Sequence, residues 1–199
     1  MGEQEQLLGI HLSFSPVADI NTNPLNPIIG NRSFGENPKA VARQGIALMN
    51  GHHQAGILTS AKHFPGHGDT EQDSHLTLPT INFSKERIES NELYPFRKLI
   101  EHGVSSVMIG HLKVPALTES NAPASLSSKL VTEILKEKMG FNGLVVTDAL
   151  NMKGASKGVE GNIDLAAFMA GNDLLLISLN IPEGIAEIKA AYHRSDLVK

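Results

Sequence analysis

Residues 62–79, KHFPGHGDTEQDSHLTLP, concentrate titratable side chains between two prolines. Asp73 and His75 lie two positions apart, and side chains at this spacing project to the same side of an extended segment. An aspartate that accepts a hydrogen bond from one ring nitrogen fixes the tautomer of the imidazole and raises the basicity of the other nitrogen. The spacing therefore predicts a proton-transfer dyad, because histidine titrates near neutral pH.

Two simpler interpretations compete with this one. A lone D-x-H tripeptide is more often a loop hydrogen bond or a chance pair than a catalytic dyad. The histidines also suggest a metal site, but Pro65 and Gly66 interrupt the H-x3-H pair formed by His63 and His67, so these two rings do not share a helix face as zinc ligands do. We therefore expect no metal.

The chain alternates apolar runs of strand length with polar loops and helix-like segments, which predicts a parallel sheet covered by helices. Asn37, followed by a proline, and Ser84 are predicted helix caps, and Pro95 should kink or restart its helix. Residues 127–128, both serine, can cap a further helix that ends at Gly140. The predicted strands are Ile10–Phe14, Ile57–Ala61, Val104–Ile109, Leu144–Val146 and Leu174–Ile177.

Polar residues follow these strands at the points where ligands gather in parallel sheets. They are Asp19, Lys62 with His63, His111, and Asp148. An open doubly wound sheet would also place them on one rim, but no glycine-rich phosphate loop of the usual patterns follows any strand.

The composition excludes several classes of partner. The net charge is −4 and no Lys/Arg cluster occurs, which argues against nucleic acid or an anionic membrane. No apolar run reaches the roughly 18 to 20 residues that cross a bilayer. There is no cysteine, so disulfides and thiolate chemistry are absent from this sequence.

The run K62-H63-F64-P65-G66-H67-G68, followed by D73-S74-H75 and P79, resembles the signature of bacterial family 3 glycoside hydrolases that act on β-N-acetylglucosaminides. Five further segments agree with that family in order: SFSPVADI (13–20), NRSFG (31–35), VMIGH (107–111), GLVVTDALNM (143–152) and AGNDLLLI (170–177).

The resemblance implies a retaining mechanism that releases terminal β-linked N-acetylglucosamine, with no cofactor. Asp148 corresponds to the nucleophile, His75 to the proton donor and Asp73 to the residue that orients His75. Without the surrounding motif, Asp148 after a strand would more often be a helix N-cap.

The resemblance also implies a carbohydrate partner. Arg32, Lys62 and His63 match positions that bind the sugar, and His111 is a further candidate for this role. Arg32 could instead be a solvated loop residue paired with Glu36. Peptidoglycan turnover in the cytoplasm or periplasm of a bacterium is the implied setting, and the sequence does not indicate an oligomeric state.

The implied fold is a (β/α)8 barrel, of which residues 1–199 form one catalytic domain. About five β/α units are recognisable and the first three are missing, so we expect a partial barrel with weak or no turnover by itself. An inactive or sugar-binding remnant is the non-enzymatic alternative. A β-N-acetylglucosaminide phosphorylase and a β-glucosidase of the same family are further alternatives, the latter disfavoured by the dyad, and a metal-dependent hydrolase is disfavoured by Pro65 and Gly66.

Overall fold

The computed structural model describes residues 1–70, 77–118, 121–156 and 160–194. Within them, four parallel strands form one sheet in sequential order: β1 (Leu12–Ser13), β2 (Leu58–Phe64), β3 (Ser106–Ile109) and β4 (Leu144–Thr147). Each strand pairs with the next one along the chain, as in an arc of a β/α barrel. The predicted α/β class and parallel sheet are confirmed.

The predicted fifth strand, Leu174–Ile177, lies beside β4 without forming a regular strand. The Leu174 amide donates to the Val145 carbonyl at 3.0 Å, and the Leu174 carbonyl accepts from the Thr147 amide at 3.0 Å. These bonds make one parallel bridge between Val146 and Leu174. The fifth unit is therefore present as a short, irregular continuation of the sheet.

Helices lie between the strands and cover the sheet. The long helix at Pro38–Gln54 packs against the helix at Leu93–Glu101. The helices are α1 (Gly2–Leu7), α2 (Pro38–Gln54), α3 (Lys85–Arg87), which continues as a π-helical segment (Ile88–Glu92) into α4 (Leu93–Glu101), α5 (Pro115–Thr118), a π-helix (Lys129–Lys138), α6 (Lys153–Ser156), α7 (Ile163–Met169) and α8 (Ile181–Arg194), with 3-10 turns at Gly30–Arg32 and Ala124–Leu126.

The sequence signals for helix ends are confirmed in three places. The Asn37 side chain accepts hydrogen bonds from the Lys39 and Ala40 amides, and the Ser84 side chain accepts from the Arg87 amide. Gly140 has φ +67°, the left-handed conformation that favours glycine after a helix. Ser128 precedes the π-helix but makes no capping bond with its side chain, so the cap predicted at Ser128 is wrong, and the alternative cap at Ser127 stays a prediction.

Pro95 lies near the start of α4, just after the π-helical segment, so the predicted restart at this proline is confirmed. Its ring removes one backbone donor, and the preceding turn accommodates this with wider hydrogen bonding. The restarted helix turns Phe96 onto the sheet, where its ring meets Phe64 edge to face at 5.4 Å. Both rings are completely buried, and burial of each contributes about 1.5–3 kcal/mol to folding.

In the part of the chain that the structure describes, no helix is both long enough and apolar enough to cross a membrane.

Candidate active site

The carboxyl ends of the parallel strands bring the predicted polar residues to one rim. Lys62 and His63 lie in the last three residues of β2, and Asp148 directly follows β4. The Asp148 amide donates to the carbonyl of Ile109, the last residue of β3, at 2.9 Å. The ends of β3 and β4 are therefore level, which brings the loop that carries His111 beside Asp148.

Asp19 lies beneath this rim and accepts several hydrogen bonds. It is completely buried, and its carboxylate accepts from Nδ1 of His63 at 2.8 Å and from the His67 amide at 2.7 Å. The His63 amide also donates to both carboxylate oxygens, at 3.1 and 3.2 Å. One buried carboxylate thus fixes both the ring of His63 and the backbone of the loop that follows β2.

The electrostatics of Asp19 favour its ionised form. Burial by itself acts to raise the pKa of Asp19, but the charge and hydrogen bond of His63, and then those of His67, outweigh it, so the pKa lies below its ordinary value. An ionised carboxylate only accepts hydrogen bonds. Nδ1 of His63 is therefore the donor in this pair, and Nε2 is the ring nitrogen turned away from Asp19.

The loop after β2 is held by a second set of bonds, centred on Asn26. Its Nδ2 donates to the His67 carbonyl at 2.8 Å, and its Oδ1 accepts from the Ile28 and Ile29 amides at 2.9 and 2.8 Å. Thr70 supports the same loop, because its hydroxyl lies 2.7 Å from Nδ1 of His67. Asn26 thereby ties the loop after β2 to the turn that carries Arg32.

His67 lies inside this loop and is almost completely buried. Burial lowers the pKa of its ring, and the charge of His63 acts the same way, while the charges of Asp19 and Asp148 oppose the shift. The ring stands edge-on to His63 with centroids 6.0 Å apart. Sequence reasoning considered His67 only as a metal ligand, whereas here it is part of the packed loop that precedes residue 73.

The predicted dyad, Asp73 and His75, lies outside the described residues. Its predicted roles stay predictions.

Three charged residues on the rim influence one another. Lys62 is half-buried, and this burial, followed by the positive charge of Arg32, lowers the pKa of its ammonium group, while the charges of Asp148 and Asp19 act in the opposite direction. Lys62 and Arg32 therefore form a cationic side of the rim, and Lys62 lies within electrostatic range of Asp148. Such donors suit sugar hydroxyl and N-acetyl oxygens, whose hydrogen bonds strengthen where water is excluded.

Arg32 is exposed, and its guanidinium donates to the Ile28 carbonyl at 3.3 Å. No ion pair joins it to Glu36, although both residues lie in the described part of the chain. The structure thus gives no support to the surface pair considered as the alternative for Arg32.

Asp148 is not the N-cap of a helix. Its Oδ1 accepts from the Ala149 amide at 2.8 Å, but the next helix, α6, begins only at Lys153. The carboxylate instead stands at the strand end, within electrostatic range of Lys62, His67 and His111. This position leaves the N-cap alternative without support.

His111 is completely buried, with both ring nitrogens bonded inside the protein. Nδ1 lies 2.7 Å from the Ser125 hydroxyl, and Nε2 lies 3.0 Å from the Ala149 carbonyl oxygen. The direct contact with sugar that the sequence predicts would have to use a ring that already has two protein partners.

The site contains residues that sequence reasoning missed, namely Asn26, Ser125 and Asn172. Asn26 had one local signal, since asparagines beside prolines in the segment NTNPLNP are typical of turns whose side chains bond nearby amides. Ser125 and Asn172 had none. In the described ranges, no three His, Asp or Glu side chains are grouped so that they could hold a metal ion.

The chain is similar to known proteins along nearly its whole length. Residues 1–197 match the glycosyl hydrolase family 3 N-terminal domain. A β-hexosaminidase of Neisseria meningitidis serogroup C (strain 053442) is 40% identical over 190 residues, which cover 94% of this chain and 51% of that protein. The chain thus spans about half the length of this curated relative.

Two solved structures are similar in fold. The family 3 β-N-acetylglucosaminidase of Paenibacillus sp. str. FPU-7 superposes with a TM-score of 0.90 at 41% identity, over 98% of this chain and 37% of that one. A β-glucoside phosphorylase, BglX, superposes with a TM-score of 0.92 at 29% identity, over 97% and 37% of the two chains. Since the family domain matches nearly every residue and the polar rim follows the strand ends as in a β/α barrel, this chain belongs to glycosyl hydrolase family 3.

Proposed function

We propose that the protein is a retaining exo-β-N-acetylglucosaminidase, with Asp148 as its nucleophile. The observation that carries the proposal is the position of Asp148 at the end of β4, in a turn that starts no helix and within electrostatic range of Lys62. The names of the relatives support the sugar specificity.

In the first step, an Asp148 carboxylate oxygen attacks the anomeric carbon and forms a glycosyl ester, while the bond to the leaving oxygen breaks. His75 donates its proton to that oxygen. In the second step His75 takes a proton from water, the resulting hydroxyl attacks the anomeric carbon, and the Asp148 carboxylate is released. Asp73 orients the ring of His75 during both steps.

Substrate binding falls to the cationic side of the rim and to His63. Lys62 and Arg32 donate to sugar oxygens, and Nε2 of His63 is directed to the same sugar because Asp19 holds Nδ1. Peptidoglycan fragments with a terminal N-acetylglucosamine are the substrates that we propose for this site.

The test is hydrolysis of p-nitrophenyl N-acetyl-β-glucosaminide by the chain and by the Asp148→Asn variant. We expect the variant to lose at least about a thousandfold in kcat, as when a nucleophile is removed from an enzyme whose catalytic groups act together. Asp173→Asn is the matched control, because Asp173 bonds the Val145 amide at the opposite end of the same strand. Sugar binding without hydrolysis by the parent chain would favour a sugar-binding remnant instead.

Phosphorolysis is the second candidate, and the similarity to the β-glucoside phosphorylase favours it. After it has given up its proton, a histidine is neutral and does not repel an anionic acceptor as a carboxylate would. Adding inorganic phosphate decides between the two reactions. Release of N-acetylglucosamine 1-phosphate would show that phosphate, and not water, is the acceptor. Unchanged release of free sugar supports hydrolysis.

A further inference from the structure

The His111 ring forms a bridge between two loops of the rim. Its Nε2 lies 3.0 Å from the carbonyl oxygen of Ala149, and a carbonyl oxygen only accepts hydrogen bonds. Nε2 therefore carries a hydrogen. Its Nδ1 lies 2.7 Å from the Ser125 hydroxyl, which can donate to an unprotonated ring nitrogen.

These two bonds fit the neutral ring with its hydrogen on Nε2. Burial is the main cause that lowers the pKa of His111, and the charge of His63 acts in the same direction. The charge of Asp148 and the backbone carbonyls of Ala149 and Asp148 oppose the shift without reversing it. A completely buried imidazole with a donor and an acceptor in place has both of its hydrogen-bonding positions satisfied.

The acceptor of this bond lies directly after the proposed nucleophile. The Asp148 amide is fixed to β3 by its bond to the Ile109 carbonyl, and the Ala149 amide donates to Oδ1 of Asp148. The bond from His111 adds a third fixed point, on the carbonyl of Ala149. The backbone on both sides of the carboxylate is thereby held to β3 and to the loop that follows it.

The hydrogen bonds that begin at the His111 ring continue away from the rim through Ser125. Nδ2 of Asn172 donates to the Ser125 carbonyl at 2.8 Å and to the Ala167 carbonyl, next to the end of α7, at 2.7 Å. Ser125 and Asn172 are both buried, so water does not compete for these bonds. The backbone of the serine whose hydroxyl bonds the His111 ring is therefore held in place.

We infer that His111 is a positioning residue, which holds the turn after Asp148 through a neutral Nε2–H ring and makes no contact with the sugar. This positioning role rests on the proposed role of Asp148 as nucleophile. The hydrogen bonding of the ring does not depend on that role, and it is tested separately.

The first experiment determines which nitrogen of the His111 ring carries the hydrogen, and it needs no enzymatic activity. Long-range 1H–15N NMR spectra of the 15N-labelled chain at neutral pH distinguish the two ring nitrogens of each histidine, and the His111→Gln spectrum assigns the His111 signals. We expect a neutral ring protonated at Nε2. A ring protonated at Nδ1, or a charged ring, would overturn the inference.

The second experiment measures how firmly the turn after Asp148 is held. Hydrogen exchange at the Ala149 amide should become faster in His111→Leu, which has no donor, and return towards the parent rate in His111→Gln, whose amide can donate to the Ala149 carbonyl. Ser106→Ala is the matched control, since it removes a buried hydroxyl bond at the opposite end of β3 and should leave Ala149 exchange unchanged. Equal exchange in the parent and in a folded His111→Leu chain would refute the positioning role.

Where the parent turns over substrate, kinetics add a distinct signature. Displacement of the nucleophile by about 1 Å can cost roughly a hundredfold in rate, so kcat should fall in His111→Leu, equally for good and poor leaving groups, while KM changes little. His111→Gln should recover most of this loss. A loss of sugar affinity at constant kcat would indicate a direct sugar contact instead, and an Asp148→Asn chain that remained active would reject the proposed function while leaving the NMR result standing.

Discussion

The Oδ2 atom of Asp19 lies 2.8 Å from Nδ1 of His63, although 44 positions separate the two residues in the chain. The carboxylate is completely buried and also accepts from the His67 amide. It therefore connects the segment after β1 with the ring and the loop after β2. The orientation of His63, and with it the direction of Nε2, depends on a residue that does not itself reach the rim surface.

Replacement of Asp19 by asparagine should destabilise the fold and weaken sugar binding. The amide oxygen can still accept from one backbone amide, but the charge-assisted bonds are lost, at a cost of about 1.5–3 kcal/mol in the free energy of unfolding. Urea unfolding measures the stability, and titration with N-acetylglucosamine measures the binding. A variant as stable as the parent would contradict the central position assigned to this carboxylate.

Asp19 should also affect how the stability of the fold decreases at low pH. Because its pKa is lower in the folded chain than in the unfolded chain, the unfolded state binds the proton first as the pH falls. The stability contributed by Asp19 is therefore complete above about pH 4 and decreases as the pH falls towards the folded pKa. Urea unfolding at a series of pH values below 5 should show that the free energy of unfolding declines less steeply with falling pH in Asp19→Asn than in the parent chain. Identical declines in the two chains would refute this role of Asp19.

The proposed acid and nucleophile should respond differently to the leaving group. His75→Ala should slow aryl glycosides with poor leaving groups most, since those need protonation, and should spare good leaving groups. Asp73→Ala should have a milder effect with unchanged sugar binding, because it leaves the imidazole in place but misoriented. Measurement of kcat/KM across a series of aryl N-acetylglucosaminides checks both, and equal losses for all leaving groups in His75→Ala would mean that another group is the acid.

Asn26→Ala should loosen the connection between the Arg32 turn and the loop after β2. The change removes the bond to the His67 carbonyl and leaves the Ile28 and Ile29 amides without their acceptor, with an expected cost of about 1–3 kcal/mol in the free energy of unfolding. Asn23→Ala is the matched control, because Asn23 makes one exposed bond to the Leu25 amide. Urea unfolding should show a clearly larger loss in the free energy of unfolding for Asn26→Ala than for Asn23→Ala. Similar small losses in both variants would show that the Asn26 bonds do not stabilise the fold.

Two glycines give opposite predictions for the same substitution. A Cβ atom on Gly68 would overlap the Ile20 carbonyl oxygen, so Gly68→Ala must shift the loop after β2 and should cost about 3 kcal/mol or more. Gly51 lies inside α2 with open space around it, so Gly51→Ala should stabilise the fold by about 0.5–1 kcal/mol. Thermal unfolding should therefore shift in opposite directions, and a neutral Gly68→Ala would show that this close backbone approach can relax.

The sequence predicted the architecture well where the signal is local. Apolar runs of strand length, with Asn37 and Ser84 at helix starts and Gly140 after a helix, depend on residues within a few positions of one another, so a single pass along the chain finds them. The irregular course of Leu174–Ile177 was missed, because an apolar run of strand length does not reveal how many ladder bonds the neighbouring strand offers.

By itself the sequence determined the parallel β/α order, and this order decides that Lys62, His63 and Asp148 end on one rim, since parallel strands carry their carboxyl ends to the same edge. Only the tertiary structure decided that Asp19 is the buried partner of His63 and that both nitrogens of His111 are bonded within the protein. These bonds join residues 38 to 48 positions apart or cross between loops, and hydrogen bonds of that range are chosen by packing and burial, which no local pattern encodes.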